Sequence, residues 1–196
     1  SAKKSLSRMQ FRAGPWAIIS DTVALQPLCG VSAVPLLPAE WSLSLPALPS
    51  LRLGSCDRDG NPHVCRALAA DLLPDGRMLV LLAESAAPRV VAALRETAQV
   101  AMLATSPRSN RTLHLKGSDA RVEPALPSHA GLLALRRRTL TLELADVDGF
   151  AGAPFLEHWY GVEVSGLVAV RYSLSGAWNQ TPGPHAGQAV ALEPGP

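Results

Sequence analysis

Residues 110–117, NRTLHLKG, alternate polar and apolar side chains. Successive side chains on a strand point to opposite faces, so Asn110, Thr112, His114 and Lys116 are predicted to share one face while Leu113 and Leu115 take the other. An amide, a hydroxyl, an imidazole and an ammonium in one row suit an anion attached to a polar ring. Thr112 and Lys116 are separated by roughly 13 Å at ~3.3 Å per residue. That span fits a flat ring with a phosphate tail better than a single ion.

Three more positions carry compatible chemistry. Arg66 falls inside an apolar strand pattern, where an uncompensated guanidinium is costly. A bound phosphate would compensate it, and so would pairing with Asp71 or Glu84. Ser85 and Arg89 stand where a helical pattern begins, and free backbone N–H groups together with the helix dipole favour an anion there. Each position also has an ordinary role: Ser85 as a helix N-cap, Arg89 as a solvated helix residue, His114 as a surface or subunit-contact histidine. The combination is what points to a ligand.

Several chemistries lack their fingerprints. There is no G-x-G-x-x-G, no G-x-x-x-x-G-K-[ST] and no G-x-S-x-G, so the usual dinucleotide, nucleoside-triphosphate and serine-nucleophile motifs are absent. His63, His114, His129, His158 and His185 include no H-x-x-x-H pair, and Cys29, Cys56 and Cys65 have neither metal-ligand spacing nor a disulfide pattern. A reduced, cytoplasmic protein without a metal is the expectation. The formal net charge of +2 is too small for a nucleic-acid or membrane footprint, and Arg136, Arg137 and Arg138 are expected on a solvated helix face. No run reaches the ~20 apolar residues of a spanning helix. Asp21 interrupts the early apolar stretch, and no small-residue cleavage site precedes Cys29, so a secretory leader is not expected.

The elements that must position these groups are legible from residue 51 onward. Residues 1–45 contain Pro15, Pro27, Pro35 and Pro38 without a sustained period and are predicted to be an irregular arm ahead of one domain over 46–196. LRLGSCDRDGNPHVCRALAADLL reads as a hairpin around a two-residue Asp59-Gly60 turn, which would set Cys56 opposite His63 and diagonal to Cys65. GRMLVLLAE is apolar throughout, so a strand buried on both faces is predicted. In SAAPRVVAALRET the period changes to that of a short amphipathic helix, with Ser85 as N-cap and Pro88 in the first turn. QVAMLATS, RTLHLKGSDARVEP and VEVSGLVAVRYSLS complete six strands, a second helix falls within SHAGLLALRRRTLTLELAD, and the tail from Trp178 is rich in Pro and Gly. The expected fold is mainly β: a six-stranded antiparallel barrel with short flanking helices.

The DRDGNPHVCRALAADLL hairpin, RMLVLLAESAAPRVVAALRE, AQVAMLATS and RTLHLKGSDARV together resemble the pyridoxamine 5'-phosphate oxidase-like FMN-binding split barrels, over residues 48 to 188. The closing NQTPGPHAG resembles the tail of an uncharacterised branch of that group. The resemblance implies a split β-barrel homodimer with an FMN at each of two interfacial sites. It implies Arg66 and Arg89 at the FMN phosphate, Ser85 in the strand-to-helix loop that hydrogen-bonds the cofactor, and Thr112, His114 and Lys116 toward the flavin ring. Trp178 and Gln180 would cover the partner's flavin. The chain departs from a true pyridoxamine phosphate oxidase in two places. Pro88-Arg89-Val90 replaces Ser-Arg-Lys, and the tail lacks the Arg-x-His that grips the substrate, which argues against vitamin B6 oxidation. The expected function is a flavin-dependent oxidoreductase acting on a small molecule. The alternatives are a non-catalytic carrier or sensor of flavin or haem, with His63, His114 or His185 as axial ligand, and a deazaflavin-dependent reductase.

Overall fold

The structure, a computed structural model, describes residues 34–145 and 163–195. The Asp-Gly signal does reverse the chain, but through a longer loop than predicted. β1 (Ser50–Cys56) and β2 (Pro62–Ala67) pair antiparallel, with Cys56 opposite Pro62 and Ser55 opposite His63. The turn occupies residues 58–60: Gly60 has φ +81°, its N–H donates to the Asp57 carbonyl, and the Asp57 N–H donates to the Asn61 carbonyl. Asp57 Oδ1 also accepts from the Asn61 N–H, which favours the wider loop. A one-residue change of register exchanges faces. Cys65 therefore lies opposite the buried Leu53 on the inner face, and Cys56 lies on the outer face, not diagonal to it. Burial pushes the Cys65 thiol up to about 11, so it stays protonated at neutral pH.

Among the described residues, ten strand segments form two antiparallel sheets. The six-stranded sheet runs β10 (Ala189–Val190), β9 (Gly176–Asn179), β6 (Thr112–Gly117), β5 (Val100–Thr105), β1, β2. The four-stranded sheet runs β3 (Ala69–Leu72), β4 (Met78–Ala83), β8 (Leu167–Tyr172), β7 (Arg121–Pro124). The count exceeds the predicted six because runs read as single strands bend from one sheet to the other, β2 into β3 and β6 into β7. Chain direction also switches sheets from β8 to β9, and β9 and β10 come from the tail, where the Pro and Gly content conceals them. Gly117 is where two of these corners meet: a Cβ there would stand 2.5 Å from Tyr172 Cδ2 and 2.7 Å from the Ser173 carbonyl.

The main core lies between the sheets. Leu51, Leu53, Met102, Leu113 and Leu115 face Val80, Leu82, Val168 and Val170, joined by Val90, Val91 and Leu94 of α2 (Pro88–Thr97). Alternate residues of β4, Leu79, Leu81 and Ala83, enter a second core beneath α3 (Ala130–Ala145) with Leu133 and Leu140. β4 is thus buried on both faces, as its uninterrupted apolar run predicts. The end of the stretch read as an irregular arm is ordered. Leu36 and Glu193 exchange two backbone hydrogen bonds of 2.8 Å, and α1 (Ala39–Ser44) with the turn after it buries Trp41, Leu45 and Leu48.

Two local expectations are corrected. Ser85 does not cap α2: residues 84–86 form a 3-10 turn closed by the Ala87 N–H on the Glu84 carbonyl, and Ala87 occupies the N-cap position. Pro88 at the helix start brings no N–H, which reduces the demand for a cap. Arg136 is not solvated but 1% exposed. It follows Leu133 and precedes Leu140 on the covered face of α3. Its Nη1 donates to the carbonyls of Leu45 (3.0 Å) and Pro46 (2.8 Å), and its Nη2 donates to that of Ala70. One guanidinium therefore ties α3 to the turn after α1 and to β3. Among the described residues, no helix is long and apolar enough to cross a membrane.

Candidate functional site on the outer face of the six-stranded sheet

The outer face of the four-stranded sheet is covered by α3, whereas the outer face of the six-stranded sheet carries a row of side chains suited to binding. The pairing Arg66–Arg52–Leu103–His114–Trp178–Ala189 runs straight across all six strands. The next row is Val64, Gly54, Ala101, Lys116 and Gly176. Thr112 lies opposite Thr105 one step the other way. The structure thus brings Arg66, Thr112, His114 and Lys116 onto one sheet face. From β6 to β2 the face extends about 14 Å at ~4.8 Å per strand. Between the cationic edge at Arg52 and Arg66 and the aromatic edge at Trp178, the floor is Gly54, Ala101 and Leu103. Val64, on the edge strand β2, is 68% exposed, and Leu103, on the interior strand β5, is 39% exposed.

At the aromatic edge the side chains are preorganised. The His114 and Trp178 rings are 5.5 Å apart at 40°, and Lys116 Nζ stands 4.9 Å from the Trp178 ring, a cation–π distance. Burial first, and then the Lys116 charge, push the His114 imidazole below its usual range, so it is neutral at pH 7 and offers one donor and one acceptor. Thr112 Oγ1 lies 3.1 Å from Thr105 Oγ1 and donates to the Asn110 carbonyl at 2.9 Å. Asn110 does not extend the strand: at φ +56° it belongs to the turn before β6.

Trp178 lies flat because Gly176 leaves room for it. A Cβ at residue 176 would stand 2.4 Å from Trp178 Cη2. Gly176→Ala is expected to lift the indole from Lys116, red-shifting Trp emission and costing about 1 kcal/mol of stability through the lost cation–π contact and the local crowding. Unchanged emission in the variant would show that the ring rests elsewhere.

The remaining expected site residues are not on this face. Ser85 and Arg89 are exposed, on the 3-10 turn and the first turn of α2. That connection leaves the end of β4, and β4 is in contact with β2, the strand of Arg66. Glu84 accepts from Arg95 at 2.9 Å. Asp71 Oδ1 accepts from the Leu72 N–H. His63 faces inward at the hairpin, 3.2 Å from Asp57 Oδ2, and His185 is exposed in the turn before β10. Gln180 is also exposed; its N–H donates to the Thr112 carbonyl at 2.8 Å. His158 lies outside the described residues. A cavity of about 380 Å³ on α3, bordered by Leu133, Arg137 and Leu142, is separate from the sheet-face row. Arg52 and Leu103 are the members that the motif-based reading missed. The corrected hairpin register, with alternation carried one strand further, would have found Arg52.

No protein-family model matches the chain, and no curated protein matches it. Solved structures similar to it include HupZ of Group A Streptococcus, at 10% identity over 77% of this chain and 100% of that one, with a TM-score of 0.47. They also include an FMN-binding protein from Syntrophomonas wolfei, at 9% identity over 71% of this chain and 86% of that one, with a TM-score of 0.42. A third is a pyridoxamine 5'-phosphate oxidase-related, FMN binding protein from Nostoc punctiforme, at 11% identity over 74% of this chain and 80% of that one, with a TM-score of 0.41. The structural neighbours of this chain thus include pyridoxamine 5'-phosphate oxidase-related, FMN-binding proteins.

Proposed function

We propose that this protein is a split β-barrel that binds FMN between two copies of itself and uses it as a flavin-dependent oxidoreductase on a small molecule. The observation that carries the reading is the row across the six-stranded sheet: paired guanidiniums at one edge, a small apolar floor, and an indole, an imidazole and an ammonium at the other. FMN has complementary parts in the same order, a phosphate dianion, a ribityl chain and a flat ring with polar edges. The barrel description is supported by the strands that pass between the two sheets at their corners.

In this reading Arg66 holds the phosphate, with Arg89 and Ser85 approaching from the β4–α2 connection. Neutral His114, Thr112 and Lys116 hydrogen-bond the ring edge. Bound flavin supplies hydride transfer, and the chain's own residues bind, orient and shield it. The second copy supplies the missing cover, because Val64 and Leu103 expose apolar surface beside the charged row. The protein purified without added cofactor is expected to show flavin absorbance and, by light scattering at micromolar concentration, the mass of a dimer. A Soret band in place of flavin bands would replace this reading with haem binding, and a deazaflavin spectrum would change the cofactor. A stable monomer that retains FMN would remove the interfacial site.

A further inference from the structure

Side chains four residues apart on a helix line up in ridges with grooves between them. On α3 one ridge is Ala130, Ala134, Arg138 and Leu142, and its neighbour is Leu133, Arg137 and Thr141. The two alanines leave the first ridge low near the start of the helix. Val164, from the 3-10 turn Val164–Gly166, joins these side chains around the cavity of about 380 Å³. That volume lies within the ~300–1,000 Å³ typical of small-molecule pockets. Leu142, at one end of the cavity, is 61% exposed. The described lining residues include two arginines and no Asp or Glu. Glu143, the one carboxylate of α3, is turned to other work, accepting from Ser106 Oγ and from the Arg108 N–H.

We propose that this cavity binds a small amphipathic carboxylate, whose hydrocarbon lies on Ala130, Leu133, Ala134 and Val164 and whose head group pairs with Arg138. An aliphatic wall with cations and no carboxylate suits an anion that has an apolar body. Thr141 Oγ1 donates to the Arg137 carbonyl at 2.9 Å, so its hydroxyl has no proton left for a ligand. Arg137 already has interactions of its own. Arg138 is exposed at the rim, and its planar fork matches the two oxygens of a carboxylate. Burial of the hydrocarbon supplies the attraction, and the guanidinium supplies the selection for charge. The cavity shares no residue with the row on the six-stranded sheet, so the proposal stands apart from the flavin reading.

The test is isothermal titration calorimetry of the purified full chain with octanoate and with octanol, for the wild type, Arg138→Ala and Ala134→Phe. The wild type is expected to bind one octanoate per chain, about tenfold more tightly than octanol, the lower end of the range for a hydrogen bond to a charged group because the rim is solvated. Arg138→Ala should lose about that same factor for octanoate and leave octanol unchanged. Ala134→Phe fills the hollow and should abolish binding of both. Residues 134 and 138 are exposed, so both variants keep the fold, which far-UV circular dichroism checks. A wild type that does not bind octanoate, or octanoate binding that survives Ala134→Phe, overturns the site. An Arg138→Ala variant that loses nothing, or loses both ligands equally, overturns the pairing of the carboxylate with Arg138.

Discussion

Arg136→Ala is expected to destabilise the protein by about 3–5 kcal/mol, the range for breaking a buried charged interaction, and to lower the urea midpoint by on the order of 2 M. The side chain is 1% exposed and donates to the carbonyls of Leu45, Pro46 and Ala70. Truncation opens a cavity between α3 and the sheet beneath it and leaves buried carbonyl oxygens without their donors, and both effects act in the same direction. Arg136→Met separates them. Methionine restores most of the volume but none of the hydrogen bonds, so its cost should be intermediate. Arg138, two residues on and exposed, is the control, and its alanine variant should stay within about 0.5 kcal/mol of the wild type. If Arg136→Ala tracked that control, the guanidinium would not be joining the three segments.

The second large effect concerns binding. Arg66→Ala should weaken FMN by about 1.5–3 kcal/mol, a factor of roughly 10 to 150. Arg66 is half-buried at the end of β2, where the strand bends into the second sheet, so its guanidinium starts with less conformational freedom than a surface arginine and loses less on gripping a ligand. Arg58→Ala provides the comparison. That side chain sits at the hairpin tip, 77% exposed and paired with Glu96 at 3.4 Å, and its removal should leave flavin affinity where it was. Equal fluorescence titrations for the wild type and Arg66→Ala would remove Arg66 from the site and leave the sheet face without its phosphate anchor.

What the sequence revealed depended on how local the determining physics was. The doubly buried β4 was legible because six consecutive apolar residues leave no face for water and the run is too short for a typical helix, and the face shared by Thr112, His114 and Lys116 followed from alternation alone. The hairpin register was not legible. An Asp-Gly pair permits both two- and three-residue turns, and the hydrogen bonds of Asp57 with Asn61 decide between them. Arg136 was misplaced for a similar reason. Within Arg136-Arg137-Arg138 all three residues look alike, and only the i−3 and i+4 neighbours Leu133 and Leu140 mark the first as facing the core. β9 was hidden because a four-residue strand next to Pro and Gly has little pattern of its own and is held by pairing with β6. Ser85 looked like a cap because a 3-10 turn ahead of the helix leaves no clear trace in composition.

One feature of the four-stranded sheet bears on how the chain comes to be made. β4 pairs with β3 on one edge and with β8 on the other, residue for residue from Met78 with Tyr172 to Ala83 with Leu167. The first partner precedes it by a few residues, while the second emerges from the ribosome about ninety residues later, several seconds at ordinary rates of synthesis. Throughout that interval β4, apolar along its whole length, has an open backbone edge, and for most of it α3 (Ala130–Ala145), which covers its second face, is also still to be made. The nascent chain therefore presents a sticky ribbon until β8 has been translated, and holdase chaperones are expected to engage it there.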